Sequence, residues 1–478
     1  MGNFQLMKRI HYFSACFIVL SLLYLLGSCH KNEDTENAKL TFSSTEVCFD
    51  TVFTTVGSIT KSFTVHNPHS FEVTFSAELA GGKQSPFSIN VDGEAGTFFK
   101  NVTIAPRDSI FVHVVVNINP NNQNLPFIVT DSVIFRTGTN IQDVDLVAFG
   151  QNAHFIVADQ GSGSLRYKII AHEHEAVRWT NDLPYVVYGG FAAVDSLGTL
   201  IIEPGTTIYF HKGAGIWIYR YGNIQAQGTL DQPITFRGDQ LNSWYDTDYN
   251  QWDRIWINEG TVDNIFENCV IQNAFIGLQL ESLSQRLNNQ TVIKNSIIKN
   301  THNSGILARN SKLYMENCQV SNNGNCSLQL QIGDFNIKHT TIANYFSQSA
   351  RPNPALYISN LYSNEPYDFI GEVNISMVNS IVYGLSEEEF AIYEYQSDQA
   401  PITAVFENCL IKKKSSISSF IQCILNQNPL FTNNNQQDYT LQSGSPAIDA
   451  GKVGLNIFTD LKGNPRDEHP DIGAYEYE

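Results

Sequence analysis

The chain has 478 residues, with 47 Asp plus Glu against 29 Lys plus Arg; its formal net charge of −18 repels phosphate backbones and argues against nucleic-acid binding. Only 16% of residues are charged and 12% are aromatic, including 30 Phe and 21 Tyr, a mixture that suits a globular, strand-rich protein. Collagen, coiled coil and polytopic membrane protein are excluded, and the length admits about three domains.

Lys8 and Arg9 precede an apolar run over 13–26 that is too short and wrongly flanked for a membrane span. The run ends in Leu26-Gly27-Ser28-Cys29, which resembles a bacterial lipobox: the small residues fit a peptidase cleft and the Cys29 thiol takes the lipid. Residues 1–28 are therefore expected to be a lipoprotein signal peptide, and 29–39 a solvated tether. Several acyl chains, at about 0.8 kcal/mol per buried methylene, hold such a protein on a membrane. Lys31 followed by Glu33 and Asp34, with Asn32 between, resembles the surface-export signal of Bacteroidetes lipoproteins. That resemblance implies an outer-membrane protein facing the cell surface, with the periplasmic leaflet as the alternative.

Residues 40–152 alternate apolar and polar side chains in seven short runs, at 40–43, 61–66, 71–79, 87–91, 109–116, 127–135 and 143–149. Turn formers separate them, among them Asn67-Pro68, Gly81-Gly82, Asp92-Gly93 and Ala105-Pro106, so a β-sandwich is expected. Phe63-x-Val65-x-Asn67, Ile104-Ala105-Pro106 and the run 112–116 are together similar to immunoglobulin-like modules of the spindle-protein and hydin type. No catalytic constellation stands out there, and the module reads as a spacer or adhesion unit.

From residue 155 the sequence repeats. Gly205-Thr206 recurs as Gly228-Thr229 and again as Gly260-Thr261. The pattern Asn-[Cys/Ser/Thr]-x-[Ile/Val]-x-[Asn/Gly] then returns, beginning at Asn268, Asn295, Asn317, His339 (in place of Asn), Asn379 and Asn408. These starts are 27, 22, 22, 40 and 29 residues apart, so about 22 is the unit and the excess is loop. Each unit also holds two further apolar runs, such as Gly305-Ile306-Leu307 and Leu313-Tyr314-Met315. Three strands and three turns in that length make one coil of a right-handed parallel β-helix, expected over 155–425. Asn suits the turn because it tolerates a left-handed backbone, and the small residue after it can point inward.

Without Cys16 and Cys29, the remaining cysteines are Cys48, Cys269, Cys318, Cys326, Cys409 and Cys423, with no CxxC and no His pairing, so a zinc site is not expected. Coils stack at about 4.8 Å, which places Cys269 and Cys318 about 10 Å apart, beyond the reach of a disulfide. With Cys409 they are expected to be buried free thiols. The residues preceding the ladder positions are Glu267, Lys294, Glu316, Lys338, Val378 and Glu407; their alternating signs predict a stacked ion-pair ladder on a solvated face.

Trp179, Pro184-Tyr185-Val186-Val187, the run 200–206 and Gly228-Thr229-x-x-x-Pro233-Ile234-x-Phe236 resemble the opening coils of β-helix lipoproteins from Bacteroidetes. Near the other end stand Asn428-Pro429-Leu430-Phe431, Ser445-Pro446-Ala447-Ile448-Asp449-Ala450-Gly451, Asp460-x-x-Gly463-x-Pro465-Arg466 and Pro470-Asp471-Ile472-Gly473-Ala474-Tyr475-Glu476. They resemble the choice-of-anchor Q segment that closes many pectin-lyase-like helices. The resemblance implies a capping segment over 426–478, in which Asp449, Asp460, Asp471 and Glu476 join Arg466 in a structural network. No sorting tail follows Glu478, so the N-terminal lipid is expected to be the anchor.

Pectin-lyase-like folds host lyases, polygalacturonases and inert adhesins, so the fold leaves the chemistry open. A polygalacturonase needs paired Asp carboxylates, and the chain has no Asp-Asp pair, no Gly-His-Gly and no Arg-Ile-Lys. Gly-x-Ser-x-Gly and Gly-x4-Gly-Lys are absent as well. The candidate site is an inserted loop, 239–253, with Trp244, Tyr245, Asp246, Asp248 and Tyr249 as possible glycan-binding residues. Aromatic faces stack on sugar rings and acids hold hydroxyls. Asp246-x-Asp248-x-Asn250 resembles the start of a calcium loop but lacks the following Gly and the distant Glu, so no cofactor is expected, with calcium as the alternative. Trp252 precedes a strand and is expected in the core. The reading is a non-catalytic glycan-binding or adhesion protein; the alternatives are a polysaccharide lyase acting on an acidic glycan and a purely structural envelope protein.

Overall fold

The computed structural model describes residues 37–54, 58–119, 127–163, 165–241, 245–260, 262–282, 290–364, 366–396 and 400–477. The expected signal peptide, Cys29 and Trp244 lie outside the described residues. The chain is all-β and divides into two compact units, one built on residues up to Gly150 and the other from Gln151 onward. Among the described residues, no helix is long and apolar enough to cross a membrane.

The first unit contains two five-stranded sheets among the described residues. In spatial order, one holds Thr41–Phe42, Lys61–His66, Ser109–Val116, Phe87–Val91 and Glu94–Gly96. The other holds Glu46–Phe53, Asn140–Gln151, Phe127–Thr137, Val73–Leu79 and Phe98–Ile104. Strict alternation turns Val112, Val114 and Val116 of the first sheet and Val144, Leu146 and Ala148 of the second into one shared core. Phe63 and Phe135 meet edge-on in it, 6.2 Å apart. Three strands, Glu46–Phe53, Glu94–Gly96 and Phe98–Ile104, escaped the alternation. In the last, Asn101 is left-handed (φ 52°) and the register slips between Phe75 and Ala77. Phe99 and Ile104 then both point inward at an odd spacing, which a period of two cannot reveal.

The second unit stacks three parallel ladders, and most coils give one strand to each. Ile306 pairs with Leu328, Leu313 with Phe335 and Gln319 with Thr341, a step of 22 residues on all three sides. One ladder forms an 11-stranded sheet that takes its strands in chain order from His154–Val157 to Ile424–Leu425; the other two merge into an 18-stranded sheet. The sequence repeat is the physical register: Val270, Ile297, Gln319, Thr341, Ile381 and Leu410 lie side by side on successive coils. The corner residues Asn268, Asn295, Asn317, His339, Asn379 and Asn408 are all left-handed, with φ from 43° to 55°. The long step from Thr341 to Ile381 holds an insertion at 345–355 and a hairpin of Leu361–Asn364 with Tyr367–Ile370. Gly205 and Gly228 precede strands of the 11-stranded sheet, but Gly260 sits at a different corner, between Ile255–Ile257 and Asn264–Glu267. Glycine suits any tight corner, so Gly-Thr does not mark one face.

Inside, Cys269, Cys318 and Cys409 are buried and free, and each thiol donates to the carbonyl two residues before it, at 3.4, 3.2 and 3.3 Å. Outside, Lys294 closes on Glu316 at 3.6 Å, while the Tyr314 ring takes both Lys294 and Lys338, at 5.5 and 5.4 Å. The expected ion-pair ladder is thus partly a cation–π ladder.

Residues 426–477 do not add further full coils. They run back along the outer face of the 11-stranded sheet, held by the corner residues: Asn408 donates to the Ala450 carbonyl (2.9 Å), Asn379 to Lys452 (2.9 Å) and Asn317 to Thr459. Phe431, Tyr439, Leu441, Ile472 and Tyr475 cover Ala343, Ile381 and Leu410 in a second, lateral core. Arg466 bonds Glu476 (2.8 Å), Asn317 (2.8 Å) and the Gly473 carbonyl (3.0 Å). Asp460 and Asp471 accept backbone N–H groups of Asn464, Glu476, Asp449 and Tyr477, so these acids close turns.

Candidate functional site

The inserted loop leaves the 11-stranded sheet after Ile234–Gly238 and ends at Ile255–Ile257. It is gripped by the second Asn of two successive repeats, Asn273 and Asn300. Asn273 (φ 68°) donates its amide to the carbonyls of Tyr245 (3.3 Å), Asp246 (3.0 Å) and Asp248. On the next coil, Asn300 donates to the Asp246 carbonyl at 3.3 Å and exchanges two hydrogen bonds with Gln437, at 3.4 and 2.9 Å. One coil further, Asn322 accepts from the Tyr439 hydroxyl (2.9 Å) and the Tyr345 backbone N–H (3.2 Å). Residues needed for the turns therefore also hold the loop and the returning C-terminal strap.

These segments frame a groove of about 370 Å³. Thr247 and Tyr249 come from the loop, Asn300 and Asn322 from the corners, and Asn434, Asn435 and Gln437 from the strap; Tyr345, Phe346, Ser347, Gln348 and Leu385 complete the lining. The Tyr249 ring stacks on His302 at 5.1 Å and meets Phe346 edge-on at 5.2 Å. Tyr345 stacks on Tyr439 at 5.9 Å, and burial raises its phenol pKa, so it remains a hydrogen-bond donor. The described lining contains three aromatic rings and six amide side chains, with no carboxylate, Lys or Arg. It can stack on an apolar ring face and pair with hydroxyls, but it has no acid–base pair.

Of the loop residues singled out in the sequence, Tyr249 faces the groove and Trp244 lies outside the described residues. Tyr245 contributes its carbonyl, which accepts from Gln251 at 2.6 Å. The Asp246 carboxylate is engaged by Arg237 at 2.9 Å, and Asp248 is exposed beside the groove. Beneath the loop, burial lowers the Lys299 ammonium pKa, with Asp246 opposing. Among the described residues no cluster of three or more His, Cys, Asp or Glu side chains could hold a metal ion. Trp252 is in the core, stacked on Phe210 at 4.3 Å with its indole N–H on the Gln272 carbonyl at 2.8 Å. Tyr345 and Phe346 went unread, although they directly follow the repeat residue Asn344. The strap amides carried no sequence signal, because they reach the groove only through long-range docking.

No protein-family model matches the chain. No curated protein matches it. Among solved structures, a family 123 glycoside hydrolase from Clostridium perfringens is similar at 9% identity over 24% of this chain and 30% of that one, with a TM-score of 0.19. The CooA pilin subunit from enterotoxigenic Escherichia coli is similar at 10% identity over 24% of this chain and 97% of that one, with a TM-score of 0.18. Likeness at this level carries no argument about function.

Proposed function

We propose that the chain is a lipid-anchored cell-envelope protein that binds a glycan, without catalysis, in the groove framed by Tyr249, Tyr345 and Phe346. One observation carries this reading: the described lining combines aromatic rings with neutral amides. Rings stack on sugar faces and amides pair with hydroxyls, a few polar groups in an apolar concavity fixing orientation. An uncharged lining on a chain of net charge −18 favours a neutral glycan over a polyuronate. A lyase needs carboxylates for a cation and a Lys or Arg base, and the described lining has neither. In this reading the first unit is an immunoglobulin-like sandwich and the second a right-handed parallel β-helix. Cys29 carries the lipid in the outer membrane, facing the cell surface.

The test is titration of the purified ectodomain with neutral polysaccharides and with polyuronates plus calcium. Tyr249→Ala and Trp244→Ala should each weaken neutral-glycan binding by about 1 kcal/mol or more in protein that remains folded, and Trp244→Phe should recover more than Trp244→Leu. Unsaturated product from a polyuronate, seen in the ultraviolet, would overturn the non-catalytic reading. Cys29→Ala should move the protein from the membrane to the soluble fraction; retention on the membrane would refute lipid anchoring.

A further inference from the structure

The small residue after each corner forms one inward column through successive coils: Cys269, Ser296, Cys318, Thr340, Ser380, Cys409 and Cys423. Ser296 separates Cys269 from Cys318, and Thr340 and Ser380 separate Cys318 from Cys409. Cys409 and Cys423 are direct neighbours. Leu410 pairs with Ile424 and Ile411 with Leu425 in parallel register, one residue past each cysteine. In-register neighbours have Cα atoms about 4.8 Å apart, inside the roughly 4.4–6.8 Å that a disulfide spans. Both cysteines follow a left-handed residue, Asn408 (φ 48°) and Gln422 (φ 51°), so their side chains leave the corner in the same direction. Both thiols are free; Cys409 lies against the Glu407 carbonyl at 3.3 Å and Cys423 against the Phe406 carbonyl at 3.2 Å.

We propose that Cys409 and Cys423 are an oxidisable pair that closes to a disulfide and pins the last coil to the one before it. The chemistry is thiol–disulfide exchange with an external low-molecular-weight disulfide. Cys423, the less buried of the two, gives its proton to solvent and attacks the external disulfide, releasing one thiolate that is protonated. The Cys409 sulfur then attacks the Cys423 sulfur of the mixed disulfide, and its proton accompanies the second departing thiolate. Two protein thiols are oxidised and one external disulfide is reduced to two thiols. The neighbouring Cys409 holds the Cys423 thiol below the usual thiol range, while burial holds Cys409 well up, which fits the less buried Cys423 as the first attacker. The last coil is also where a cross-link matters most, because its strands Phe420–Ile421 and Ile424–Leu425 are two residues each.

The experiment incubates the full chain with excess oxidised glutathione, alkylates it under denaturing conditions and maps the peptides by mass. Cys409 and Cys423 should lose alkylation together, their peptides joining with the loss of two hydrogens, while Cys269 and Cys318 remain alkylatable. The melting temperature should rise by several degrees. Cys423→Ser should leave Cys409 alkylatable and abolish the rise; serine already occupies this column at positions 296 and 380, so the fold tolerates it. A stable glutathione adduct on Cys423 with Cys409 still free would overturn the proposal, as would both thiols remaining alkylatable throughout.

Discussion

At His339 the repeat substitutes a titratable ring for an amide, and its surroundings fix the tautomer. Asn379 donates to Nε2 at 3.0 Å, and Nδ1 donates to the Gly473 carbonyl at 3.3 Å. Burial, with Arg466 as the next contribution, pushes the imidazole from 6.5 down to about 3. Between those values the unfolded chain binds a proton that the folded chain refuses. The contribution to stability is therefore intact above pH 6.5 and is lost as pH falls towards about 3, at up to about 1.4 kcal/mol per pH unit. His339→Asn restores the residue found at the other corners of the ladder. It should flatten that part of the stability–pH curve relative to the parent, as measured by denaturant melts from pH 7 to pH 4. An unchanged slope would show that the ring titrates normally in the folded protein. The corner positions themselves were readable in the sequence because a left-handed backbone at a fixed step needs Asn repeatedly. That His339 would also receive the strap carbonyl was not readable, since its partner lies 134 residues away.

At the scale of one strand, the register divides residues into those that face only neighbouring coils and those that face water. Ile298 is fully buried between Ile271 and Val320. Ile298→Asp places an unpaired charge in a continuous core and should cost several kcal/mol, enough to unfold the stack. Lys294, one corner away and partly exposed against Glu316, should lose less than about 1 kcal/mol on change to Ala. Comparable losses in the two variants, read from urea midpoints, would mean that the coil phase is wrong. This phase was legible because inward and outward residues alternate at the same place in every repeat. The strand Phe98–Ile104 was not, because the bulge at Asn101 resets its alternation. Nor was the short coil begun by Gln422, where Leu410 meets Ile424 after 14 residues instead of about 22.

Across the second unit, the returning strap explains why two strands of the 11-stranded sheet are buried on both faces. Gln319–Asn323 and Thr341–Asn344 are buried at every position, although alternate side chains point away from the stack. The strap supplies the cover with Phe431, Tyr439, Leu441, Ile472 and Tyr475. At about 1.5–3 kcal/mol for each large apolar side chain, the gross burial is on the order of 10 kcal/mol, set against the entropy of ordering the strap. The strap should therefore melt with the stack and not before it. Ile472, fully buried, tests this: Ile472→Ala should cost about 2–5 kcal/mol. Hydrogen exchange should then accelerate in Thr341–Asn344 and in the strap together, and remain unchanged in the first unit. Tyr439→Phe removes one hydroxyl bond to Asn322 and should cost about 1 kcal/mol while keeping the fold. Because Asn434 and Gln437 come from the strap, ending the chain after Leu425 should also abolish any glycan binding in the groove. Faster exchange confined to the strap, with Thr341–Asn344 still protected, would show that the strap is an independent appendage and that the stack needs no lateral cover.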